Sequence, residues 1–166
     1  GDKAVHHTPV QGGSGAKYKV VSLGGSHACG IGMDDRVTCW GSNSHGQLGV
    51  NGIAESLAPV PVTTAQTFTA IAAGATHTCA IASDGSAHCW GNNFDGQLGN
   101  GFVGSGWQPR PVAGGLRFVS TEAKREFTCA LGTDARLYWW GDNDNGQRGD
   151  ATTADRHAPV GVAGQT

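Results

Sequence analysis

The feature that most constrains the fold of this chain is an internal repeat with a period of 50 residues. Cysteines recur at this spacing at Cys29, Cys79 and Cys129, and Trp-Gly pairs recur at Trp40-Gly41, Trp90-Gly91 and Trp140-Gly141. The polar residues that keep the same period are Asn43, Asn93, Asn143, Gln47, Gln97 and Gln147. A strict period of this length indicates a chain built from copies of one supersecondary unit. We expect these tryptophans, asparagines and glutamines to serve the geometry of each unit.

Each unit has the pattern of four short strands. In the second unit, "FTAIAAG", "HTCAIAS" and "SAHCWG" are predicted strands, followed by the polar loop "NNFDGQLG". A proline-bearing segment then closes the unit and is placed on a sheet edge, because proline donates no hydrogen bond to a sheet ladder. No stretch shows sustained helical periodicity, and four short strands per unit are typical of a propeller blade.

The predicted fold class is therefore all-β, with three four-stranded antiparallel β-propeller blades that form an incomplete or partial propeller. The whole chain, 1–166, is read as a single repeat domain. The blades are placed at about residues 9–58, 59–108 and 109–160, with short tails at 1–8 and 161–166.

These residues also carry a resemblance to a known family. The stretch "GATHTCAIASDGSAHCWGNNFDGQLGNG", Gly74 to Gly101, resembles a repeat of the regulator of chromosome condensation family of β-propellers. The first unit is also similar, with Asp34-Asp35 in place of Asp-Gly. The third unit departs from the pattern at Lys124, Phe127 and Arg148. The resemblance covers about residues 9–160 and implies blades of a propeller that normally has seven.

Three units are too few for a closed ring, since closed propellers have about 4–8 blades. Three explanations stay open: the chain is a piece of a longer propeller, two copies pair into a ring of six, or a three-blade wedge docks on other subunits of an assembly. A further pair, Pro9-Val10, precedes the first unit and slightly favours a finished module, because it supplies a terminal segment that a fourth unit would otherwise provide.

The spacing of the paired cysteines follows from the hairpin between them. A three-residue turn at Ser83–Gly85, with glycine in the left-handed position, places Cys79 opposite Cys89. This is a non-hydrogen-bonded pair, with Cα atoms about 4.5 Å apart, inside the usual disulfide range of about 4.4–6.8 Å. The same count pairs Cys29 with Cys39. Two structural disulfides are the favoured interpretation, and they imply an oxidising compartment: periplasm, cell surface or the secreted pool.

Three other readings of the cysteines are less favoured. A structural zinc site needs about four ligands and usually closely spaced cysteine pairs, and the sequence has no Cys-x-x-Cys. A redox pair lacks an activating basic neighbour, and reduced buried thiols stay open. In the third unit Trp139 replaces the second cysteine, so Cys129 is predicted to be a buried thiol packed on that ring. The alternative is a free or intermolecular cysteine.

Composition excludes several classes of function. The net charge is −2 with no basic run, so nucleic acid is not an expected partner. No apolar run approaches the roughly 20 residues that span a bilayer, although docking on a membrane complex stays open. No catalytic motif is found, and we predict no catalytic residues, no metal and no cofactor. The segment 37–109 has no Lys or Arg, which indicates a neutral stretch between blades or a contact surface for another subunit.

The candidate partner-binding residues are those that differ between units. The glycine-rich loop 100–110 carries Phe102 and Trp107, and Phe94 lies in the preceding loop. Clustered exposed aromatic residues anchor interfaces, although Trp107 could instead pack on its own blade. The charged stretch "EAKREF", with Lys124 and Arg125, indicates either a solvated outer edge of the blade or an edge that contacts a partner.

The favoured function is a non-enzymatic protein-interaction module, extracytoplasmic and cross-linked by disulfides, acting as a subunit or domain of a larger assembly. Its expected partners are other proteins or a second copy that completes or caps the propeller. This rests on the family resemblance, because known members act mainly through protein surfaces. The alternatives are a carbohydrate-binding or enzymatic propeller completed by other blades, and a guanine-nucleotide-exchange-like regulator if the protein is cytosolic.

Overall fold

The computed structural model describes residues 15–149 and 151–162, and all regular secondary structure in this part of the chain is β. The twelve strands are β1 (Tyr18–Leu23), β2 (His27–Gly32), β3 (Val37–Ser42), β4 (Glu55–Pro61), β5 (Phe68–Ala73), β6 (His77–Ala82), β7 (Ala87–Gly91), β8 (Gly106–Pro111), β9 (Phe118–Lys124), β10 (Phe127–Gly132), β11 (Leu137–Gly141) and β12 (Arg156–Gly161).

The strands form three four-stranded antiparallel sheets in simple sequential order. We call them blade 1 (β1–β4), blade 2 (β5–β8) and blade 3 (β9–β12), and they confirm the predicted fold class. The predicted limits at 58 and 108 fall inside β4 and β8, so blades 1 and 2 end a few residues later than expected. The reason is that the proline-bearing segment is the fourth strand of its own sheet, with Val60 opposite Cys39. The predicted tail 1–8 and Pro9-Val10 lie outside the described residues.

A three-residue turn connects the second and third strands of every blade, as the spacing predicts. In blade 2 the Gly85 amide donates to the Ala82 carbonyl at 2.8 Å, and Gly85 has a φ of +83°. The Asp84 carboxylate accepts the Ser86 amide at 2.9 Å, which is the local turn role expected of aspartate. Asp35 and Ala135 take the same left-handed conformation in the other two blades.

These turns fix the register that places the cysteines opposite each other. Cys29 is bonded to Cys39 and Cys79 to Cys89, with Cα–Cα distances of 4.0 and 4.1 Å. Cys129 is a free, half-buried thiol opposite Trp139 in the β10–β11 register. The Trp139 indole stacks on Phe127, with ring centroids 4.2 Å apart.

The hydrophobic core lies between successive blades rather than inside any one sheet. We call the side of a blade that contacts the preceding blade its front face, and the side that contacts the following blade its back face. The first cluster joins the back face of blade 1 to the front face of blade 2 and includes Ile31, Leu48, Phe68, Ile71 and Trp90. The second joins blades 2 and 3 in the same way and includes Ile81, Leu98, Phe118 and Trp140. Each disulfide is fully buried in one of these clusters.

The first strand of each blade lies at the inner side of the wedge. β5 packs against β1 and β9, whereas the main contacts of the fourth strands are with their own sheets. The stretch 122–127 spans the end of β9, the turn after it and the start of β10. Its predicted position on a solvated outer edge is therefore wrong, because the first strand of the blade is the innermost one.

We predict that the purified protein contains two intramolecular disulfides and one free thiol. Non-reducing peptide mass analysis should find Cys29 joined to Cys39, Cys79 joined to Cys89, and Cys129 unmodified. Each bond closes a short loop, so reduction should lower the free energy of unfolding by about 2–3 kcal/mol per disulfide. Free thiols at all five cysteines in protein isolated without reductant would contradict the pairing.

Candidate protein-interaction face

A hydrogen-bond network joins blade 1 to blade 2 through one backbone carbonyl. The Thr78 hydroxyl and the Trp90 indole Nε1–H both donate to the Gln47 carbonyl oxygen, at 2.9 and 3.0 Å. The His27 Nε2 lies 2.8 Å from the same hydroxyl. Because the hydroxyl has a single proton and donates it to Gln47, His27 must donate from Nε2 and is the neutral Nε2–H tautomer.

The network repeats between blades 2 and 3 with nearly identical distances. Thr128 and Trp140 donate to the Gln97 carbonyl oxygen at 3.0 and 2.9 Å, and His77 lies 2.9 Å from the Thr128 hydroxyl. Thr128, Trp140 and His77 are fully buried. The threonines are not among the residues predicted from the sequence, because their partners lie in a different blade.

The repeated asparagine and glutamine shape the loop that presents this carbonyl. The Asn93 side chain accepts the Leu98 amide at 2.9 Å and donates to the Phe102 carbonyl at 2.8 Å. The Gln97 side chain accepts the Asp95 amide at 3.0 Å. Equivalent bonds from the same positions in the other loops involve Asn43, Gln47, Asn143 and Gln147.

The buried histidines of the network have strongly lowered pKa values. Burial lowers the pKa of His27 to about 4. For His77, burial and then the nearby His27 lower the pKa to about 3. Both side chains are therefore neutral in the folded protein at physiological pH, which is the state that the threonine contact requires.

All five candidate partner-binding residues lie at one end of the blades. In each antiparallel sheet, the turn between strands one and two and the loop between strands three and four share the same end. In blade 2 the Asn92 amide donates to the Thr76 carbonyl at 2.9 Å, and this bond joins the loop between β7 and β8 to the turn between β5 and β6. We call this end the loop face. It is formed by residues 24–26, 43–54, 74–76, 92–105, 125–126, 142–149 and 151–155, together with the strand residues next to these segments, which include Lys124 and Trp107.

Aromatic side chains project from the outer part of the loop face. Phe94 is 66% exposed and Phe102 is 72% exposed, and the unpredicted neighbour Val103 is also exposed. Trp107 is 41% exposed, and it lies beside Gly46 of blade 1, across the blade boundary. A Cβ atom on Gly46 would lie 2.8 Å from the Trp107 Cα, so only glycine fits beneath it.

The basic pair lies at the inner part of the same face. Lys124 and Arg125 are exposed, and the Arg125 carbonyl accepts the Ala75 amide at 2.9 Å. The adjacent Glu126 carboxylate accepts Gln97 Nε2 at 2.6 Å and Thr76 Oγ1 at 3.2 Å. The structure thus brings the aromatic residues and the basic pair to one face but places them at its outer and inner parts.

The loop face of blade 3 also holds an acidic group that sequence analysis did not single out. Carboxylate oxygens of Asp142, Asp144 and Asp155 lie within 4.8 Å of one another. Asp142 accepts the Asp144 amide at 2.8 Å, and Asp155 accepts the Asn143 amide at 2.8 Å, so these acids hold their own loop together. Burial and then the nearby acids raise the pKa of Asp95. The only signal in the sequence is the run "DNDN".

A family model described as the regulator of chromosome condensation (RCC1) repeat matches residues 18–47, 68–97 and 118–147, and a second RCC1 model matches residues 34–81 and 84–131. The chain therefore belongs to the RCC1 repeat family, as the resemblance implies. A comparison with curated protein sequences finds no match.

Solved structures with the same fold come from several organisms. Prp20p of Saccharomyces cerevisiae is 20% identical with a TM-score of 0.78, over 87% of this chain and 38% of its own. Human WBSCR16 is 19% identical with a TM-score of 0.81, and the match covers 90% of this chain and 40% of WBSCR16. The ectodomain of the receptor kinase CR4 from Physcomitrella patens is 24% identical with a TM-score of 0.57, and the match covers 77% of this chain and 30% of the ectodomain. The chain thus spans two fifths or less of each.

We predict that Thr128→Val lowers the free energy of unfolding by about 1–3 kcal/mol, because it removes a donor to Gln97 and leaves His77 Nε2 buried without an acceptor. Urea unfolding monitored by tryptophan fluorescence measures the change. Thr63→Val, at an exposed position, is the matched control and should have little effect. Equal effects of the two substitutions would contradict the role of the threonine.

We also predict that the protein loses stability on acidification below about pH 6.5. The unfolded chain protonates His27 and His77 near their ordinary pKa of 6.5, whereas the folded protein resists protonation down to about pH 4 and 3. The unfolded state therefore binds more protons, and each histidine lowers the free energy of unfolding by about 1.4 kcal/mol per pH unit in this window.

Unfolding free energies measured from pH 7.5 to 4.5 test this dependence. The variant His27→Gln/His77→Gln should show a flatter profile, and His157→Gln, at an exposed position, should keep the wild-type slope. A wild-type profile that is flat between pH 6.5 and 4.5 would show that the histidines are not held neutral.

Proposed function

We propose that this chain is a non-enzymatic protein-binding module that uses its loop face to contact a protein partner as a subunit or domain of a larger assembly. The observation that carries the proposal is the exposure of Phe94 and Phe102, at 66% and 72%, on loops whose backbone is held by buried asparagine side chains. Large aromatic side chains presented on a rigid frame are the residues that dominate binding energy at protein interfaces.

The relatives support a binding role. Prp20p, which has the same fold, was described together with its binding to Gsp1p and histones. Its partners are proteins, and we carry over only that chemical class, because the identity of 20% shows the fold alone. The loop face of this chain differs from a nucleic-acid site in having the acidic group Asp142, Asp144 and Asp155 beside its aromatic residues.

We further propose that the module works in an oxidising, extracytoplasmic compartment. The two disulfides support this, because such bonds form and persist in the periplasm, at the cell surface and among secreted proteins. The fold is compatible with this location, since it also occurs in the ectodomain of a receptor kinase. None of the described residues forms a helix that could span a membrane.

Site-specific photo-crosslinking in the cells that express the protein tests the binding role. A photoreactive amino acid at position 102 should give discrete protein adducts. The same probe at position 33 should not, because exposed Met33 lies in the turn at the opposite end of the blade. The substitutions Phe94→Ala and Trp107→Ala should reduce the adducts formed at position 102 at least tenfold, as expected for the loss of about 1.4 kcal/mol or more of binding energy.

The matched control is Met33→Ala, which removes an exposed apolar side chain of similar size and should leave the adducts unchanged. Adducts of equal yield from positions 33 and 102, or adducts at 102 that survive Phe94→Ala and Trp107→Ala, would show that the loop face is not the binding surface.

A further inference from the structure

The two outer faces of the wedge depart from the repeat at the positions that make contacts between blades. On the back face of blade 3, larger residues replace smaller ones: Phe127 stands in the histidine position, Trp139 in the second cysteine position, and Leu137 where the other blades have Val37 and Ala87. On the front face of blade 1, Ala28 stands in the threonine position. Gly30 and Thr38 also replace larger residues, but there the Tyr18 ring of the same blade takes the space: a Cβ atom on Gly30 would lie 2.5 Å from Tyr18 Cδ1, and the Tyr18 hydroxyl lies 2.9 Å from Thr38 Oγ1.

The residues replaced on the two outer faces include both partners of one contact that joins the inner blades. Between blades 1 and 2 and between blades 2 and 3, the histidine of one blade contacts the threonine of the next, at 2.8 and 2.9 Å. Both members of this pair are missing on the outer faces, where the equivalent residues are Phe127 and Ala28. A large apolar ring on one face and a methyl group on the other would fill a shared space without leaving a buried polar atom unpaired.

Other parts of the contact pattern are kept on both faces. Trp40 is equivalent to Trp90 and Trp140, yet it is only partly buried and its Nε1–H makes no hydrogen bond with a described residue. The Gln147 carbonyl, equivalent to the acceptors of those two indoles, likewise bonds to no described residue. A Trp40-to-Gln147 bond is thus available if the two faces meet.

The outer faces also expose apolar surface that is buried between the inner blades. Leu131 and Leu137 are both 38% exposed, whereas the equivalent Ile81 and Ala87 are 1% and 3% exposed. On blade 1, Val21 is 50% exposed, whereas the equivalent Ile71 is 7% exposed. Arg148 replaces a core leucine, and its guanidinium donates to Thr152 in its own loop at 3.2 Å.

We propose that the back face of blade 3 packs on the front face of blade 1 of a second copy of this chain, so that two copies close a ring of six blades. The exchange is reciprocal, since each copy offers both faces, and it fits the two-fold symmetry of most homodimers. Six blades lie within the range of closed propellers. The contact would cover both apolar faces and use the same repeat positions that already join blades 1, 2 and 3.

Disulfide trapping tests this geometry directly. Between the inner blades, Cys29 and Cys79 Sγ lie 3.8 and 3.5 Å from the threonine hydroxyl of the next blade. In the proposed ring, Cys129 of one copy would therefore lie beside Ala28 of the other. The variant Ala28→Cys should form an intermolecular disulfide to Cys129 at both contacts and run as a covalent dimer on a non-reducing gel. The added mutation Cys129→Ser should abolish the cross-link.

The matched control is Ala58→Cys, an exposed residue on the outer strand β4, which should stay uncross-linked. Wild-type protein should have a solution mass of twice the 17.0 kDa of one chain, measured by light scattering. Phe127→His should raise the dimer dissociation constant at least tenfold, and Ala28→Thr/Phe127→His should restore it, because the pair regains the hydrogen bond of the inner blades.

A monomer at the highest attainable concentration, together with no cross-link in Ala28→Cys, would overturn the proposal. A cross-linked series longer than two chains would overturn the closed ring. Dimerisation is independent of the loop face, so Phe94→Ala and Trp107→Ala should leave the solution mass unchanged. These measurements therefore distinguish a failure of the six-bladed ring from a failure of partner binding at the loop face.

Discussion

The interaction on which this structure most depends is the pair of hydrogen bonds that one glutamine backbone carbonyl accepts from the next blade. A buried threonine hydroxyl and a buried indole N–H meet at the Gln47 carbonyl, and again at the Gln97 carbonyl. Buried polar groups must be paired, because an unpaired donor or acceptor costs about 1–3 kcal/mol. Correct docking of one blade on the next is therefore the condition under which the threonine hydroxyl, the indole N–H and the glutamine carbonyl are all paired.

This requirement explains why such dissimilar residues share the 50-residue period. The glutamine side chain and the asparagine four residues before it hold the loop so that its carbonyl faces the next blade. The tryptophan supplies both a donor and a large apolar surface, and the following glycine allows close approach, since a Cβ atom on Gly91 would lie 2.6 Å from the Thr76 carbonyl oxygen. The disulfides add local cross-links to the hairpins that carry these residues.

Much of this architecture is predictable from the sequence because it is local. Counting from the three-residue turn is enough to pair the cysteines, and the period is enough to define the blades. Contacts between blades are harder to predict, because the partners in the network are 31 to 51 residues apart. Thr78 and Thr128 therefore carry no local sequence signal of their role, and the charges of the stretch 122–127 do not reveal that its first strand is the innermost one of the blade. The grouping of Asp142 and Asp155 depends on how a long loop closes, which the sequence pattern does not show.

Hydrogen exchange of the indole N–H groups, followed by NMR, tests the shared-carbonyl network most directly. The Nε1–H of Trp90 and of Trp140 should exchange only through global unfolding, at rates that follow the measured free energy of unfolding. The partly exposed Trp107, whose indole makes no hydrogen bond with a described residue, should exchange rapidly under the same conditions. Exchange of Trp90 or Trp140 as fast as that of Trp107 would show that the carbonyl of the preceding blade does not hold these donors.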